Sequence, residues 1–214
     1  MSAFDPVDRV SGVAAPLIRD NVDTDAIIPS REMKSTGKTG FADGLFAGWR
    51  YTEPGGREPR QDFVLNRPEY RGATILLAGA NFGSGSSREH AVWALREYGI
   101  RVVVAAGFAP IFYGNCIRNG LVPATLPKDD IVEIAAAVAA DPQRTPLTIS
   151  LSSCRVLLPD GRSWTFPIED EARTMLREGL DAIDITLKMK DRIEAFRQRD
   201  RKARPWIYIG GARA

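Results

Sequence analysis

Apolar positions follow two patterns along the chain: short continuous runs, and longer stretches in which they recur at helical spacing. From residue 73 onward, short apolar runs alternate with longer stretches of helical periodicity. The apolar runs predict buried strands at 73–78, 101–106 and 121–126. The periodic stretches predict helices at about 87–98, 108–119 and 128–140. This alternation indicates an α/β fold, with a strand–helix–strand crossover between residues 73 and 106.

The two ends of the chain add further elements to this pattern. Near the N-terminus we expect one short strand at 10–18, then a polar turn and a second short apolar piece at 20–29. Further strands are predicted at 148–152, 155–158 and 163–167, and the last two are joined by a Pro-Asp-Gly turn. Two closing helices are predicted at about 169–178 and 187–200. We therefore expect a single domain over 1–214, with a core at about 10–200 and a basic C-terminal tail at about 200–214.

The segment 30–51 does not follow either pattern. It is rich in glycine and charge, yet it contains Phe41, Leu45, Phe46 and Trp49. Long stretches without periodicity are usually functional or disordered, and the aromatic residues argue against plain disorder. We interpret this segment as a flexible loop that is mobile in the isolated chain and ordered against a partner and a substrate. The alternative is that some of these side chains anchor the loop on its own domain.

Composition excludes several classes of protein. The apolar fraction of 44% allows a sizeable core, and a net charge of +2 with mixed signs gives no case for nucleic-acid binding. The longest apolar stretch, Val102–Phe108, is too short to cross a membrane, and the N-terminus lacks the apolar region of a signal peptide. A cytoplasmic location is expected. Cys116, Cys154 and His90 are too few to hold a zinc ion or an iron–sulfur cluster, so we expect no metal on this chain.

The glycine-rich turn at 79–91 carries the candidate chemistry. Its glycines do not fit the spacing of a Walker A loop, a dinucleotide-binding turn or a nucleophile elbow. Gly83 and Gly85 allow the backbone to approach a ligand closely. Ser86, with Glu89 three residues later, matches a capping box, which would place Ser86, Ser87 and Arg88 on the first turn of a helix. Helix N-termini attract anions and arginine can grip a carboxylate with two hydrogen bonds, so a small carboxylate is the predicted ligand.

Two simpler or different interpretations of this turn remain open. Capping of the helix alone would explain Ser86 and Glu89, although not the two glycines, two serines and arginine together. His90 is four residues after Ser86 and could form a Ser–His hydrolase dyad, but no oxyanion loop or orienting acid is evident. The simpler alternative is that His90 packs within the fold.

The run from Asn81 to Ala91, NFGSGSSREHA, closely resembles the signature of the swivelling domain of aconitases and isopropylmalate dehydratases. Other segments that resemble the same family cover roughly residues 10–200: NVDTDAIIP at 21–29, the pieces GF, LF and WRY at 40–51, FVLN at 63–66, the stretch from 108 to 123, and GLDAI at 179–183. The fold that this resemblance implies is a single swivelling β/β/α domain of aconitase type with C-terminal helices.

The resemblance also implies a reaction and a partner. In such enzymes a large subunit carries the [4Fe–4S] cluster, and the small subunit carries none. The implied reaction interconverts 2-isopropylmalate and 3-isopropylmalate by dehydration and rehydration in leucine biosynthesis. The family pattern assigns Ser86 as the base that removes the proton from carbon, Asp25 as a second catalytic residue, and Ser87 and Arg88 as ligands of the substrate carboxylate. Lys34, in the loop 30–51, is a further candidate for substrate contact, and it could equally be a solvated lysine.

Three other functions compete with this expectation. The chain could belong to a related hydro-lyase that acts on a citraconate/methylmalate or homoaconitate type of diacid, because the turn at 79–91 does not distinguish these substrates. It could instead be a carboxylate-binding module without catalysis, an idea opposed by the pairing of Ser86 with Arg88. A Ser–His hydrolase is the third. The loop at 30–51 and the identity of the partner would distinguish the related hydro-lyases. Turnover after mixing with a cluster-bearing partner would exclude the non-catalytic module, and failure to label with a fluorophosphonate would exclude the hydrolase.

Overall fold

The fold, seen in a computed structural model that describes residues 4–208, contains two four-stranded sheets. The first sheet is wholly parallel, with the order β2–β3–β4–β5, and its strands are Ala14–Leu17 (β2), Ile75–Ala78 (β3), Val102–Ala105 (β4) and Val122–Thr125 (β5). The second is antiparallel, with the order β1–β6–β7–β8, and its strands are Arg9–Gly12 (β1), Leu147–Ser150 (β6), Arg155–Leu157 (β7) and Ser163–Thr165 (β8).

Eight helices accompany these sheets in the described residues. They are Thr24–Ile27 (α1), Ala47–Arg50 (α2), His90–Tyr98 (α3), Pro110–Arg118 (α4), Lys128–Ala140 (α5), Asp170–Glu178 (α6), Ala182–Leu187 (α7) and Lys190–Ala203 (α8). Short 3-10 turns lie at Ser30–Glu32, Ala42–Gly44, Val64–Asn66, Pro68–Tyr70 and Pro205–Tyr208. None of the helices in this part of the chain combines the length and apolar character that a membrane span requires.

The parallel sheet is the central layer because its strands are apolar on both faces. Every residue of β3 and β4 is buried. Leu76 and Val103 pack into one core with α3 and the segment 41–65, whereas Ile75 and Val102 pack into a second core with α5 and the antiparallel sheet. This alternation follows from the two-residue period of a strand. The sheet therefore holds the loops at its carboxyl edge between two rigid layers.

The predicted α/β pattern is confirmed in its central part. The three apolar runs after residue 73 form parallel neighbours β3, β4 and β5, and α5 has the predicted bounds 128–140. The Pro-Asp-Gly turn joins β7 and β8 as an antiparallel hairpin. Agreement is good here because uninterrupted apolar runs followed by glycine or proline are typical of parallel strands that are buried on both faces.

Two predictions at the ends of the chain were wrong. Residues 10–18 form two strands, β1 and β2, which belong to different sheets and are separated at Val13. A short, mostly apolar stretch does not reveal that the chain crosses from one sheet to another. Three helices close the chain where two were predicted. The additional one is α7, which is six residues long and has no fully buried side chain, so it leaves little periodicity to detect.

The segment 30–51 packs largely on its own domain. Phe41, Leu45 and Phe46 are completely buried in the core beside α3. The carboxylate of Glu97 accepts hydrogen bonds from the backbone N–H groups of Gly40, at 2.8 Å, and Phe41, at 2.6 Å. The expectation that these apolar side chains dock on a partner is therefore wrong, whereas the tip at 36–40 is exposed. Of the predicted tail, residues 209–214 lie outside the described range.

Candidate functional site

The site is built by two loops that leave adjacent parallel strands at the same edge of the sheet. The loop after β2 and the loop after β3 continue side by side, and backbone hydrogen bonds join them as a ladder. These bonds are Gly79 N to Arg19 O, Asn21 N to Ala80 O, Gly83 N to Val22 O and Thr24 N to Ser84 O, at 2.7–3.1 Å. The ladder brings the Thr24-Asp25 step next to the turn at 84–88, about sixty residues later in the chain.

Polar side chains strengthen the start of this ladder. Asp20 accepts hydrogen bonds from the Lys128 ammonium and from the Ala80 N–H, both at 2.8 Å. These two bonds, the one from Lys128 first, hold the pKa of Asp20 below its ordinary value. Asn21 and Asn81 both adopt left-handed backbone angles, and their side chains are hydrogen-bonded to each other at 2.9 Å. Asparagine tolerates that conformation better than most residues, so these two positions fix the bend of both loops.

Thr24 holds Ser86 by two hydrogen bonds. The hydroxyl oxygens of Thr24 and Ser86 are 2.9 Å apart, and the Ser86 N–H donates to Thr24 Oγ1 at 3.1 Å. Thr24 is 2% exposed, whereas Ser86 is only half-buried. The sequence predicted Ser86 as a site residue but missed Thr24. The signal was present in the Thr24-Asp25 step, but only the ladder shows that the threonine hydroxyl faces the serine.

Arg88, Asp25 and Ser30 form a second cluster beside the first. Arg88 Nη1 donates to Asp25 Oδ1 at 2.7 Å and to Ser30 Oγ at 3.0 Å, and Ser30 Oγ donates to Asp25 Oδ1 at 3.3 Å. Only one nitrogen of the guanidinium takes part in these bonds among the described residues, so its other N–H groups can bind a carboxylate. The structure thus brings Asp25, Ser86 and Arg88 onto neighbouring parts of the two loops. Ser30 was missed because no local pattern marks it.

Gly83 and Gly85 are required by the geometry of the turn. Both have positive φ angles, of 78° and 94°. A Cβ at Gly83 would lie 2.1 Å from the ring of Phe112, and a Cβ at Gly85 would lie 3.4 Å from Thr24 Oγ1. The first glycine therefore lets the turn pack on α4, and the second lets it approach Thr24.

The predicted capping box is absent. Helix α3 begins at His90, and its N-cap residue, Glu89, makes no capping hydrogen bond with its side chain. Ser86, Ser87 and Arg88 therefore precede the helix instead of forming its first turn. The turn is held by α4 instead, since Asn115, which is buried, donates to the Ser87 carbonyl at 3.2 Å.

His90 and Lys34 lie apart from this chemistry. The His90 ring packs against Phe41, with ring centroids 5.2 Å apart, and against Trp93, at 4.8 Å. Ser86 is hydrogen-bonded to Thr24 instead of to His90, so the Ser–His dyad is not formed and the packing interpretation is the correct one. Lys34 is exposed, and in residues 4–208 its side chain takes part in no hydrogen bond or ion pair. The structure gives Lys34 no partner that would identify it as a ligand.

The chain's own residues do not fit an iron–sulfur cluster. No group of three or more histidine, cysteine or acidic side chains that could hold a metal occurs in the described residues. Cys116 is buried in the core beside α3, and burial raises the pKa of its thiol well above the ordinary value. Cys154 lies after β6, where its sulfur accepts a hydrogen bond from Arg173 at 3.6 Å. These two thiols belong to separate parts of the fold.

The Thr24–Ser86 and Arg88–Asp25 clusters lie on an open face of the domain. The four main cavities of the described structure are all lined by other residues. Arg88 and Asp25 have side-chain exposures of 35% and 62%. Small-molecule substrates such as carboxylates are normally enclosed by the enzyme on several sides. The two clusters therefore lie on a face where the described residues do not enclose a substrate as a complete active site would.

Comparisons with known proteins agree with this geometry. The sequence profile of the aconitase C-terminal domain matches residues 5–129. A 3-isopropylmalate dehydratase small subunit of Cupriavidus necator is 54% identical over 208 residues, which are 97% of this chain and 100% of that protein. The small subunit 1 of Bordetella pertussis is 47% identical, over 93% of this chain and 97% of that protein.

A solved structure extends this similarity to the fold. The crystal structure of 3-isopropylmalate dehydratase from Methanocaldococcus jannaschii matches with a TM-score of 0.61 and 29% sequence identity. The match covers 88% of this chain and 99% of that one. Fold, sequence profile and full-length relatives all give the same assignment. The chain belongs to the aconitase C-terminal domain family and, within it, to the small subunits of 3-isopropylmalate dehydratase, a hydro-lyase.

Proposed function

We propose that this chain interconverts 2-isopropylmalate and 3-isopropylmalate together with a large subunit, and that Ser86 is its catalytic base. The observation that carries the proposal is the pair of neighbouring clusters, Thr24–Ser86 and Arg88–Asp25, on one open face. One cluster supplies a hydroxyl whose deprotonated form has a hydrogen-bond donor beside it. The other supplies a guanidinium with unoccupied N–H groups. A diacid needs both a base near its acidic C–H bond and a cation at its carboxylate.

Thr24 is the group that makes Ser86 a plausible base. A serine hydroxyl becomes basic only if its alkoxide is stabilised. Thr24 Oγ1 already accepts the N–H of Ser86, so the hydroxyl proton of Thr24 is available for Ser86 Oγ. This arrangement stabilises the charged form of the serine from a buried and fixed position. It replaces the helix N-terminus as the explanation for the activation of Ser86.

The proton transfer follows from this geometry. Ser86 Oγ, as its alkoxide, takes the proton from a substrate carbon as the carbon–carbon double bond forms, and the hydroxyl leaves the adjacent carbon as water with a proton from an acid of the large subunit. In the return step, Ser86 gives a proton back while water adds at the other carbon, so the two isomers exchange without net change in oxidation state. Arg88 holds a carboxylate of the diacid, with Ser87 as an additional donor. Asp25 and Ser30 orient the guanidinium of Arg88.

The hydroxyl group of the substrate needs a second catalytic partner. Because no metal site fits the described residues, we propose that a [4Fe–4S] cluster resides on the large subunit and that this subunit encloses the open face around Ser86. The exposed tip at 36–40 and Lys34 lie in the loop that follows Asp25, so this loop is the proposed boundary between substrate and partner. Its exposed part is expected to gain protection from hydrogen exchange when the complex forms.

Reconstitution with the large subunit tests the proposal. The Ser86→Ala variant should bind the large subunit normally but show no measurable turnover of either isopropylmalate isomer. The Ser152→Ala variant is a matched control, because it removes an exposed hydroxyl in a different part of the fold. Faster turnover of a citraconate/methylmalate or homoaconitate type of substrate would assign the chain to a related hydro-lyase. Near-normal turnover by Ser86→Ala would place the base elsewhere, and binding without any turnover would indicate a non-catalytic module.

A further inference from the structure

Helix α8 presents an apolar stripe that nothing in the described structure covers. Met189, Ile193 and Phe196 follow the spacing of one helix face and are 42%, 40% and 54% exposed. No residue of α8 is fully buried, and within residues 4–208 the helix packs mainly against the 3-10 turn at Pro205–Tyr208. Three large apolar side chains on one face of a solvated helix are unusual for a surface that meets only water.

A row of cations lies along one side of this stripe. The groove around Ile193 and Phe196 has a volume of about 700 Å³, and its edge is lined by Arg192, Arg199 and Lys202. No acidic side chain lines the groove within the described part of the chain, and these three cations take part in no ion pair there. Two arginines outside the groove are paired instead, since Arg197 binds Glu194 and Arg204 binds Asp200. The groove is therefore both apolar and electropositive.

We propose that this groove is a docking surface for an acidic, amphipathic segment of the large subunit, separate from the face that carries Ser86. The inference rests on the proposed function for the identity of that partner. Charge decides between the candidate occupants. A second copy of this chain would bring Arg192, Arg199 and Lys202 against the same three cations, which is repulsive. Residues 209–214 include Arg213 and no acidic side chain, so they offer no complementary charge.

The shape of the groove suits a helix as its occupant. Apolar residues spaced at i, i+4 and i+7, as in Met189, Ile193 and Phe196, form a row into which a partner helix can pack. The aromatic ring of Phe196 is the expected anchor, because buried aromatic side chains contribute strongly to interfaces. The row of cations would then fix the direction and register of the acidic partner.

A pair of charge-reversal variants on the same helix tests the surface. The test variant replaces two groove residues, Arg192→Glu with Arg199→Glu. The control variant, Lys190→Glu with Arg197→Glu, makes the same change in net charge at two positions that are also seven residues apart but do not line the groove. In titrations of the intact chain with the large subunit, the groove variant should raise Kd about tenfold or more, and the control should stay close to the unchanged chain. The difference should shrink at high salt. Phe196→Ala should also weaken binding about tenfold, independently of salt.

Several outcomes would overturn the inference without affecting the proposed function. An unchanged Kd for both the groove variant and Phe196→Ala would show that the large subunit does not use this surface. An equal loss in both charge variants would indicate net charge alone. Self-association of the free chain that Phe196→Ala abolishes, or vesicle binding through α8 with unchanged Kd, would assign the surface to a different partner. Ser86→Ala in the same titration separates the two proposals, because it should bind normally and abolish turnover only.

Discussion

The hydroxyl of Thr24 is the most direct test of how Ser86 would act. The Thr24→Val variant keeps nearly the same volume in a position that is 2% exposed, but it removes the hydrogen-bond donor 2.9 Å from Ser86 Oγ. A hydrogen bond to a charged group contributes about 1.5–3 kcal/mol, and each 1.36 kcal/mol changes a rate about tenfold. The kcat of the complex should therefore fall by roughly 10- to 150-fold. KM should change little, because Arg88 and Ser87 remain.

The assay follows the alkene formed on dehydration by its ultraviolet absorbance, in the complex with the large subunit. Loss of the threonine donor disfavours the alkoxide of Ser86, so the ascending limb of the kcat–pH profile, which follows deprotonation of the base, should move to higher pH in Thr24→Val. Thr24→Ser keeps the hydroxyl and is the matched control, with a profile expected to follow that of the unchanged chain. If Thr24→Val kept a normal kcat and pH profile, the activation of Ser86 by Thr24 would be refuted. A purely structural role would instead lower the stability of both variants without moving the profile.

Three further predictions concern the neighbours of this hydroxyl pair. Arg88→Lys should raise KM about tenfold or more with a smaller effect on kcat, since a single ammonium nitrogen cannot bind the substrate carboxylate through two parallel hydrogen bonds as a guanidinium can. A larger loss in kcat than in KM would argue against carboxylate binding. Gly83→Ala should lower the free energy of unfolding by about 2–4 kcal/mol, because its φ is positive and its Cβ would overlap the Phe112 ring; an unchanged melting curve would contradict this. The buried Cys116 thiol, whose pKa is raised, should resist alkylation in the native chain at mildly alkaline pH and react only after unfolding; rapid native labelling would show that α4 opens.

The strands and the central helices could be predicted from the sequence because each carries its own periodic signal. The apolar runs that became β3, β4 and β5, together with the Ala-rich α5, are determined by local pattern and by the glycines and prolines that end them. The start of α3 could not be predicted in the same way. A capping box is a local sequence pattern, and residues 86–89 match that pattern. In the structure, Ser86 is held instead by Thr24 and Ser87 by Asn115, and those contacts leave the helix to begin at His90.

What the sequence determined by itself was the chemical content of the site: a glycine-bearing turn with Ser86 and Arg88, and an acidic step at Asp25 that follows another strand. The tertiary structure decided which groups those residues meet. The ladder between the loops after β2 and β3 places Thr24 and Ser30 in the site, and no short-range pattern could show this, because about sixty residues separate the partners in the chain. The tertiary structure also buries Phe41 and Phe46 in their own domain and leaves Phe196 exposed. An apolar residue in the sequence shows only that burial would be favourable, and the arrangement of the layers decides whether the chain itself provides the covering surface.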